Sequence, residues 1–209
     1  SVTNTGQQPL QEIILHLQAD DTAIIISDST ATIPSLATGD MAYLPNAFTF
    51  VLNASRPEGF PVTFTIRVGS GPRHWTKKVV FPVSAPFFLV EKPVVDDGYD
   101  GILDQGEIAD LLFTVKNTGS AEALNGEIEL ISLDSLVEII SPSVQDFSGI
   151  GAFTGKDIRY RVRGSRNSLP GNPDSIRCII RCIQTGDQAF SFQLPVGKMP
   201  IGIFQMTDV

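Results

Sequence analysis

Cysteine, histidine, tryptophan and cationic side chains are all scarce in this chain, and each scarcity removes a class of function. The two cysteines among 209 residues, Cys178 and Cys182, lie four apart in a strand-like run. At about 3.3 Å per residue an extended backbone holds them roughly 13 Å apart, beyond the reach of a disulfide. No disulfide framework therefore staples the fold, although small secreted β-modules also manage without one, so cysteine usage does not fix the compartment. The two histidines, His16 and His74, have no serine or cysteine placed beside them as a partner, and there is no HExxH, no phosphate-binding loop and no GxSxG. Fifteen Lys and Arg against 23 Asp and Glu leave a net charge of −8, which disfavours nucleic acid as a partner. Apolar runs stop after a few residues, well short of the roughly 18 needed to cross a bilayer, so no membrane span is expected.

What remains is the texture of an all-β protein. Fourteen Pro and 18 Gly punctuate short segments rich in Val, Ile, Phe and Thr, and no convincing amphipathic helix interrupts them. The segments repeat. Val2-Thr3-Asn4-Thr5-Gly6 returns as Val115-Lys116-Asn117-Thr118-Gly119, and Phe81-Pro82-Val83 returns as Leu194-Pro195-Val196, both 113 residues on. Between these anchors the alternating runs match in order. Ile13, Leu15 and Leu17 correspond to Ile128 and Leu130, Phe48-Phe50-Leu52 to Ile158-Tyr160-Val162, and Val62-Phe64-Ile66-Val68 to Ile176-Cys178-Ile180-Cys182. The expectation is two tandem immunoglobulin-like β-sandwiches, residues 1–85 and 86–198, with 199–209 as a C-terminal strand or the stub of a further repeat. Pro82 and Pro86 stiffen the junction, where no Gly/Ser tract occurs.

The second repeat carries about thirty residues before its Asn-Thr-Gly turn that have no counterpart ahead of Val2: an apolar strand from Phe87 to Val95, an acidic loop, and a strand aligning Ala109, Leu111, Phe113 and Val115 on one face. The chain is thus expected to begin inside the first sandwich, which would lack its first strand and present an exposed or borrowed edge.

The acidic loop is the densest cluster of chemistry. From Asp96 to Asp110 there are six carboxylates and no Lys or Arg. Counted from Asp96, the loop meets the EF-type calcium pattern at position one (Asp96), five (Asp100), six (Gly101), nine (Asp104) and twelve (Glu107), and fails it at position three, which is Gly98; Asp97 next door could substitute. A hard divalent ion would relieve the repulsion among these carboxylates. The competing reading is a solvated Asp/Gly turn, because turns favour the same residues. If one metal site exists, its ligands are Asp96, Asp100, Asp104 and Glu107, and the ion is calcium.

Other candidates read as structural. Cys178 and Cys182 share the inward parity of their strand, where a thiol behaves as a small buried hydrophobe. Arg159, Arg161 and Arg163 share the outward face of one strand, and Arg177 and Arg181 that of another. In an immunoglobulin-like order those strands belong to opposite sheets, so two stripes paired with acids such as Glu127 and Glu129 are expected, with an anionic-polymer or carbohydrate site as the alternative. Trp75 is expected in a core or as an interdomain plug, and one ring of Phe87 and Phe88 to pack between domains.

On the repeated Val-x-Asn-Thr-Gly, and on Asp97-Gly98-x-Asp100-Gly101-x-Leu103-Asp104-x-Gly106-Glu107 leading into its second copy, the chain resembles the tandem immunoglobulin-like modules, of CARDB or adhesion type, found in secreted bacterial proteins, such as those appended to gingipain-like cysteine peptidases. The resemblance covers nearly the whole chain. It implies a non-catalytic spacer or adhesion module, extracellular or at the cell surface, whose partners are neighbouring domains of the same polypeptide and a glycan or protein at the surface. A module binding glycans or peptides through loops or an open sheet edge is the alternative. No catalytic cysteine–histidine pair of the peptidase type is recognisable.

Overall fold

In the computed structural model, residues 1–53, 55–167 and 171–197 are described, and every element among them is a β-strand. None is a helix long and apolar enough to cross a membrane. The expected strand or stub at 199–209 lies outside the described residues. The chain divides into two compact units, Ser1–Val83 and Ser84–Val209.

Unit 2 is a complete sandwich. Its strands are β9 (Phe88–Val90), β10 (Val94–Asp96), β11 (Ile108–Asn117), β12 (Ala123–Ser132), β13 (Val137–Ile139), β14 (Val144–Ile150), β15 (Gly155–Gly164), β16 (Asn172–Cys182) and β17 (Gly186–Val196). One sheet runs β10-β11-β15-β13 with β9 also on β11, the other β14-β12-β16-β17, and all strand pairs are antiparallel. Period-two alternation sends Leu111, Phe113, Val115, Ile158, Tyr160 and Val162 inward from the first sheet and Ile128, Leu130, Ile176, Cys178 and Ile180 inward from the second, forming one continuous core. Phe113 stacks on Tyr160 at 6.1 Å between centroids and meets Phe192 at 6.4 Å. The Tyr160 hydroxyl crosses the core and donates to the Ile128 carbonyl at 2.6 Å, tying the two sheets together. Burial holds its proton on well above the ordinary tyrosine range.

Unit 1 uses the same plan with different completeness. Its strands are β1 (Val2–Thr3), β2 (Leu10–Ala19), β3 (Ile24–Asp28), β4 (Thr30–Leu36), β5 (Met41–Ala42), β6 (Thr49–Leu52), β7 (Pro61–Ser70) and β8 (Arg73–Pro82). The sheet β4-β2-β7-β8 reproduces β14-β12-β16-β17. Among the described residues, the remaining strands of unit 1 form two short pairs, β1-β5 and β3-β6. The ten-residue β15 is here broken in two: Ala42, opposite Val2, matches Lys156, opposite Val115, 114 residues on, whereas Phe50, opposite Ile26, matches Val162, opposite Ile139, 112 residues on. Two extra residues therefore sit between β5 and β6, where Pro45 lacks an amide proton and Asn46 adopts φ 54°.

The pairing also corrects two of the expected matches. Phe48 corresponds to Tyr160 and Phe50 to Val162, a slip of two residues caused by that insertion. Likewise Leu15 opposite Val68 reproduces Ile128 opposite Ile180, so Val62, Phe64, Ile66 and Val68 match Asp174, Ile176, Cys178 and Ile180. The turn joining β16 to β17 is one residue longer than that joining β7 to β8, which hides the slip when the repeat is anchored on the last strands.

The repeated asparagine explains why the Asn-Thr-Gly motif recurs. Both copies are buried. Asn4 donates from Nδ2 to the carbonyls of Gln8 (2.9 Å) and Leu36 (3.1 Å) and accepts the Gly6 amide at 3.0 Å. Asn117 donates to Ala121 (2.8 Å), Ile150 (3.0 Å) and Gly151 (3.2 Å) and accepts the Gly119 amide at 3.0 Å. Its Oδ1 takes the Phe87 amide as well, at 3.1 Å. Gly119 is required by close approach: a Cβ there would lie 2.1 Å from the Ala85 carbonyl oxygen.

Truncating a buried carboxamide strands several backbone groups at once, so Asn117→Ala should destabilise unit 2 by about 2–4 kcal/mol and Asn4→Ala unit 1 by less, about 1–3 kcal/mol. Urea unfolding read by amide resonances assigned to each unit measures both, and equal losses would contradict the additional role of Asn117 in holding Phe87.

Candidate functional site

The acidic loop lies in unit 2 between β10 and β11, and its hub is Asp97, a residue the sequence reading gave only a supporting part. Asp97 Oδ1 accepts the amides of Tyr99 (2.8 Å) and Gly101 (3.1 Å), and Oδ2 accepts that of Asp100 at 3.4 Å. Gly98 and Gly101 take φ of 77° and 75°, which an L side chain rarely adopts, so the Asp-Gly spacing serves backbone geometry. These amides, Tyr99 first, hold the Asp97 carboxyl well below the ordinary carboxylate range. Asp100 Oδ1 accepts the Ile102 amide (3.0 Å) and Glu107 Oε2 the Asp104 amide (2.8 Å). Leu103, fully buried, anchors the loop in the core, while the Gly106 amide and the Gly164 amide reach the Gly164 and Glu107 carbonyls.

The four residues expected as calcium ligands are not brought together. Asp96 stands in β10 opposite Asp110, Asp100 and Glu107 each take a loop amide, and Asp104 takes part in the loop through its backbone. Among the described residues no group of three or more His, Cys, Asp or Glu is arranged to hold a metal ion. In this arrangement the loop is a hydrogen-bonded turn in which Asp97, Asp100 and Glu107 cap backbone amides of the loop itself.

The other candidates fall where parity puts them. Cys178 and Cys182 are unbridged and buried on the inner face of β16, and burial pushes the Cys178 thiol up to about 12, far from the thiolate that nucleophilic chemistry needs. The arginines form two stripes on different sheets. Arg159 meets Asp110 at 2.5 Å and Arg163 meets Glu138 at 2.9 Å on the first; on the second, Arg181 bonds Glu129 at 2.5 Å, with Glu127 and Asp187 within 4 Å. Glu129 holds the Arg181 proton more tightly than usual. Trp75, expected in a core or a plug, is 45 % exposed on β8, and His16 lies 3.4 Å from the Thr30 hydroxyl. Phe88 packs into the core of unit 2 against Phe147, while Phe87 remains exposed.

Sequence reading missed Asp174. It is fully buried, and its carboxylate accepts the Ser132 hydroxyl (2.6 Å) and the amides of Val137 (2.7 Å) and Asp134 (3.2 Å), closing the corner where the chain passes from β12 to β13. The signal was present: Asp174 shares the inward parity of Ile176, Cys178 and Ile180. With all its partners on one corner, the group is structural.

Two outcomes follow for the loop. Adding calcium or a chelator should leave the melting midpoint of unit 2 unchanged, because the ligand oxygens would first have to release amide protons; a rise with calcium, abolished by Asp104→Asn, would restore the metal. Since the folded Asp97 pKa lies below the unfolded value, its contribution is complete above about pH 4 and fades as pH falls through the folded value. Amide exchange at Tyr99 and Gly101 should therefore lose protection only in strong acid, and at all pH values in Asp97→Ala.

No family model matches the chain, and no curated protein matches it. Among solved structures it is similar to Escherichia coli alpha-2-macroglobulin activated by porcine elastase, at 9 % identity and a TM-score of 0.36, over 94 % of this chain and 22 % of that one. The chain thus spans about a fifth of the length of that protein.

Proposed function

We propose that the chain is a non-catalytic pair of β-sandwich modules that acts as a spacer or adhesion-type segment of a larger protein outside the cell. The carrying observation is how the buried polar side chains are used. Asn4, Asn117, Asp174 and Tyr160 all hydrogen-bond to backbone groups or to a neighbouring hydroxyl, and among the described residues no buried side-chain nitrogen or oxygen lacks a partner. A catalytic centre keeps an acid, base or nucleophile poised toward a cleft; here those groups lock strands and corners. The extracellular setting and the link to a peptidase rest on the resemblance carried by the Asn-Thr-Gly repeat and the Asp/Gly loop.

The spacer reading is tested by reactivity and turnover together. The native protein should resist thiol alkylation at Cys178 and Cys182 until denaturant unfolds unit 2, and should show no hydrolysis of peptide, ester or glycoside substrates above buffer. Turnover that disappears in Cys178→Ala, with the fold retained, would refute it.

A further inference from the structure

The outward face of the β2-β7-β8 sheet in unit 1 carries a groove of about 570 Å³. Its centre is Gly69 on β7, flanked by Ile14 on β2 and His74 on β8. The next row along the strands is His16, Arg67 and Thr76, and both rows line the groove. It thus holds both histidines of the chain and, at its edge, the single tryptophan, Trp75. Gly69 makes the room: a Cβ there would lie 3.2 Å from His74 Nδ1, so the imidazole rests over bare backbone. At the far end stands Glu12, held at φ 46°, a backbone conformation that L residues rarely adopt.

Unit 2 fills the same place with its own side chains. The pairing of Glu127 with Arg181 and of Arg181 with Asp187 reproduces that of Ile14 with Gly69 and of Gly69 with His74, and Glu129 stands where unit 1 has His16. There the Arg181 guanidinium occupies the centre, 2.5 Å from Glu129, 3.9 Å from Glu127 and 3.7 Å from Asp187. Cation and acids satisfy one another. In unit 1 the central guanidinium is gone, and Ile14, His16 and His74 replace all three acids. A guanidinium appears instead one row away, where Arg67 takes the place of Ile179. Arg67 is exposed and forms no ion pair among the described residues.

We propose that this groove binds a carboxylate-bearing saccharide, with the carboxylate on Arg67 and the sugar ring lying across Gly69 toward Trp75. The guanidinium offers a fork of donors that matches a carboxylate. Exchanging the three acids for Ile14, His16 and His74 removes the repulsion that such a ligand would meet on unit 2. Imidazole N–H groups and the Thr76 hydroxyl donate to sugar hydroxyls, and Glu12 accepts from them. Glu12 lies four residues from His16 along β2, roughly 13 Å of extended backbone, so the acid stands apart from the row that holds Arg67. The indole, 45 % exposed, gives an apolar face for the ring of the sugar. The inference goes beyond the spacer reading, which needs no ligand.

The test is titration of the full chain with trigalacturonate, sialyllactose and the neutral maltotriose, followed by amide chemical shifts and by the fluorescence of Trp75, which as the single tryptophan reports on the groove alone. A saturable change is expected for an acidic sugar and not for maltotriose, with shifts at Ile14, His16, Gly69 and His74. The tighter of the two acidic sugars tells an internal uronate from a terminal sialate, and either supports the site. Arg67→Gln should weaken binding about tenfold or more, as loss of one charge-assisted pair does, and Arg67→Lys should restore part of it. Gly69→Arg, which returns the central side chain of unit 2, should abolish binding while the shifts of unit 2 stay native. No saturable change up to millimolar sugar overturns the proposal, as does binding left intact by both Arg67→Gln and Gly69→Arg. Maltotriose bound as tightly as the acidic sugars overturns the carboxylate, and triglutamate bound as tightly as trigalacturonate overturns the saccharide. The spacer reading stands or falls separately, on thiol reactivity and turnover.

Discussion

The structure depends on one buried carboxamide used twice. Where the chain leaves one sheet and crosses to the other, ladder pairing ends and the carbonyls at the turn lose their strand partners. Asn4 and Asn117 supply the missing donors from inside the protein, bonding the carbonyl four residues ahead and the far carbonyl at Leu36 or Ile150. Two loops distant in sequence are thus fixed to one side chain, and the crossover acquires a single geometry. An aspartate of the same shape could not serve, because the contacts that matter are donated by Nδ2. The glycine two residues on completes the motif by letting the backbone pass close, which in unit 2 brings Ala85 to Phe87 against the turn.

Around this shared frame the two units are filled differently. Unit 2 places polar groups where unit 1 has apolar ones: Asp174 where unit 1 has Val62, and Tyr160 where it has Phe48. Each polar group completes a set of hydrogen bonds, so burial does not penalise it as it would an unpaired one. Unit 1 reverses this at one position of its last strand, where Lys77 takes the place of Phe190, while Trp75 in the place of Gln188 follows the first pattern. The first pattern tightens a closed interior. The second places a charge beside the rings of Phe50 and Phe81.

How much of this was legible in the sequence follows from which signals are local. Alternation within a strand is local, and it identified the all-β class, the inward thiols and the two separate arginine stripes. The repeat was visible because Asn-Thr-Gly and the Phe/Leu-Pro-Val ends recur at one spacing. The slips of two residues at Phe48 and Phe64 escaped because a run of alternating residues matches itself equally well when shifted by two, and only cross-strand pairing breaks the tie. The acidic loop supports two readings for a related reason. The residues that ligate calcium are those that cap turns, and what separates the two is whether carboxylate oxygens converge on one another or on amides, a three-dimensional fact. Asp174 was the missed opportunity, since a lone carboxylate on an apolar parity already signals a buried hydrogen-bonding role.

The break between β5 and β6 has a consequence for solubility. A ten-residue strand carrying exposed Phe50 and Val51 would be a template for uncontrolled stacking of one molecule on the next. Pro45, with no amide proton, and Asn46, twisted to positive φ, limit β6 to the four residues Thr49–Leu52. An edge that short is a poor nucleus for fibril growth.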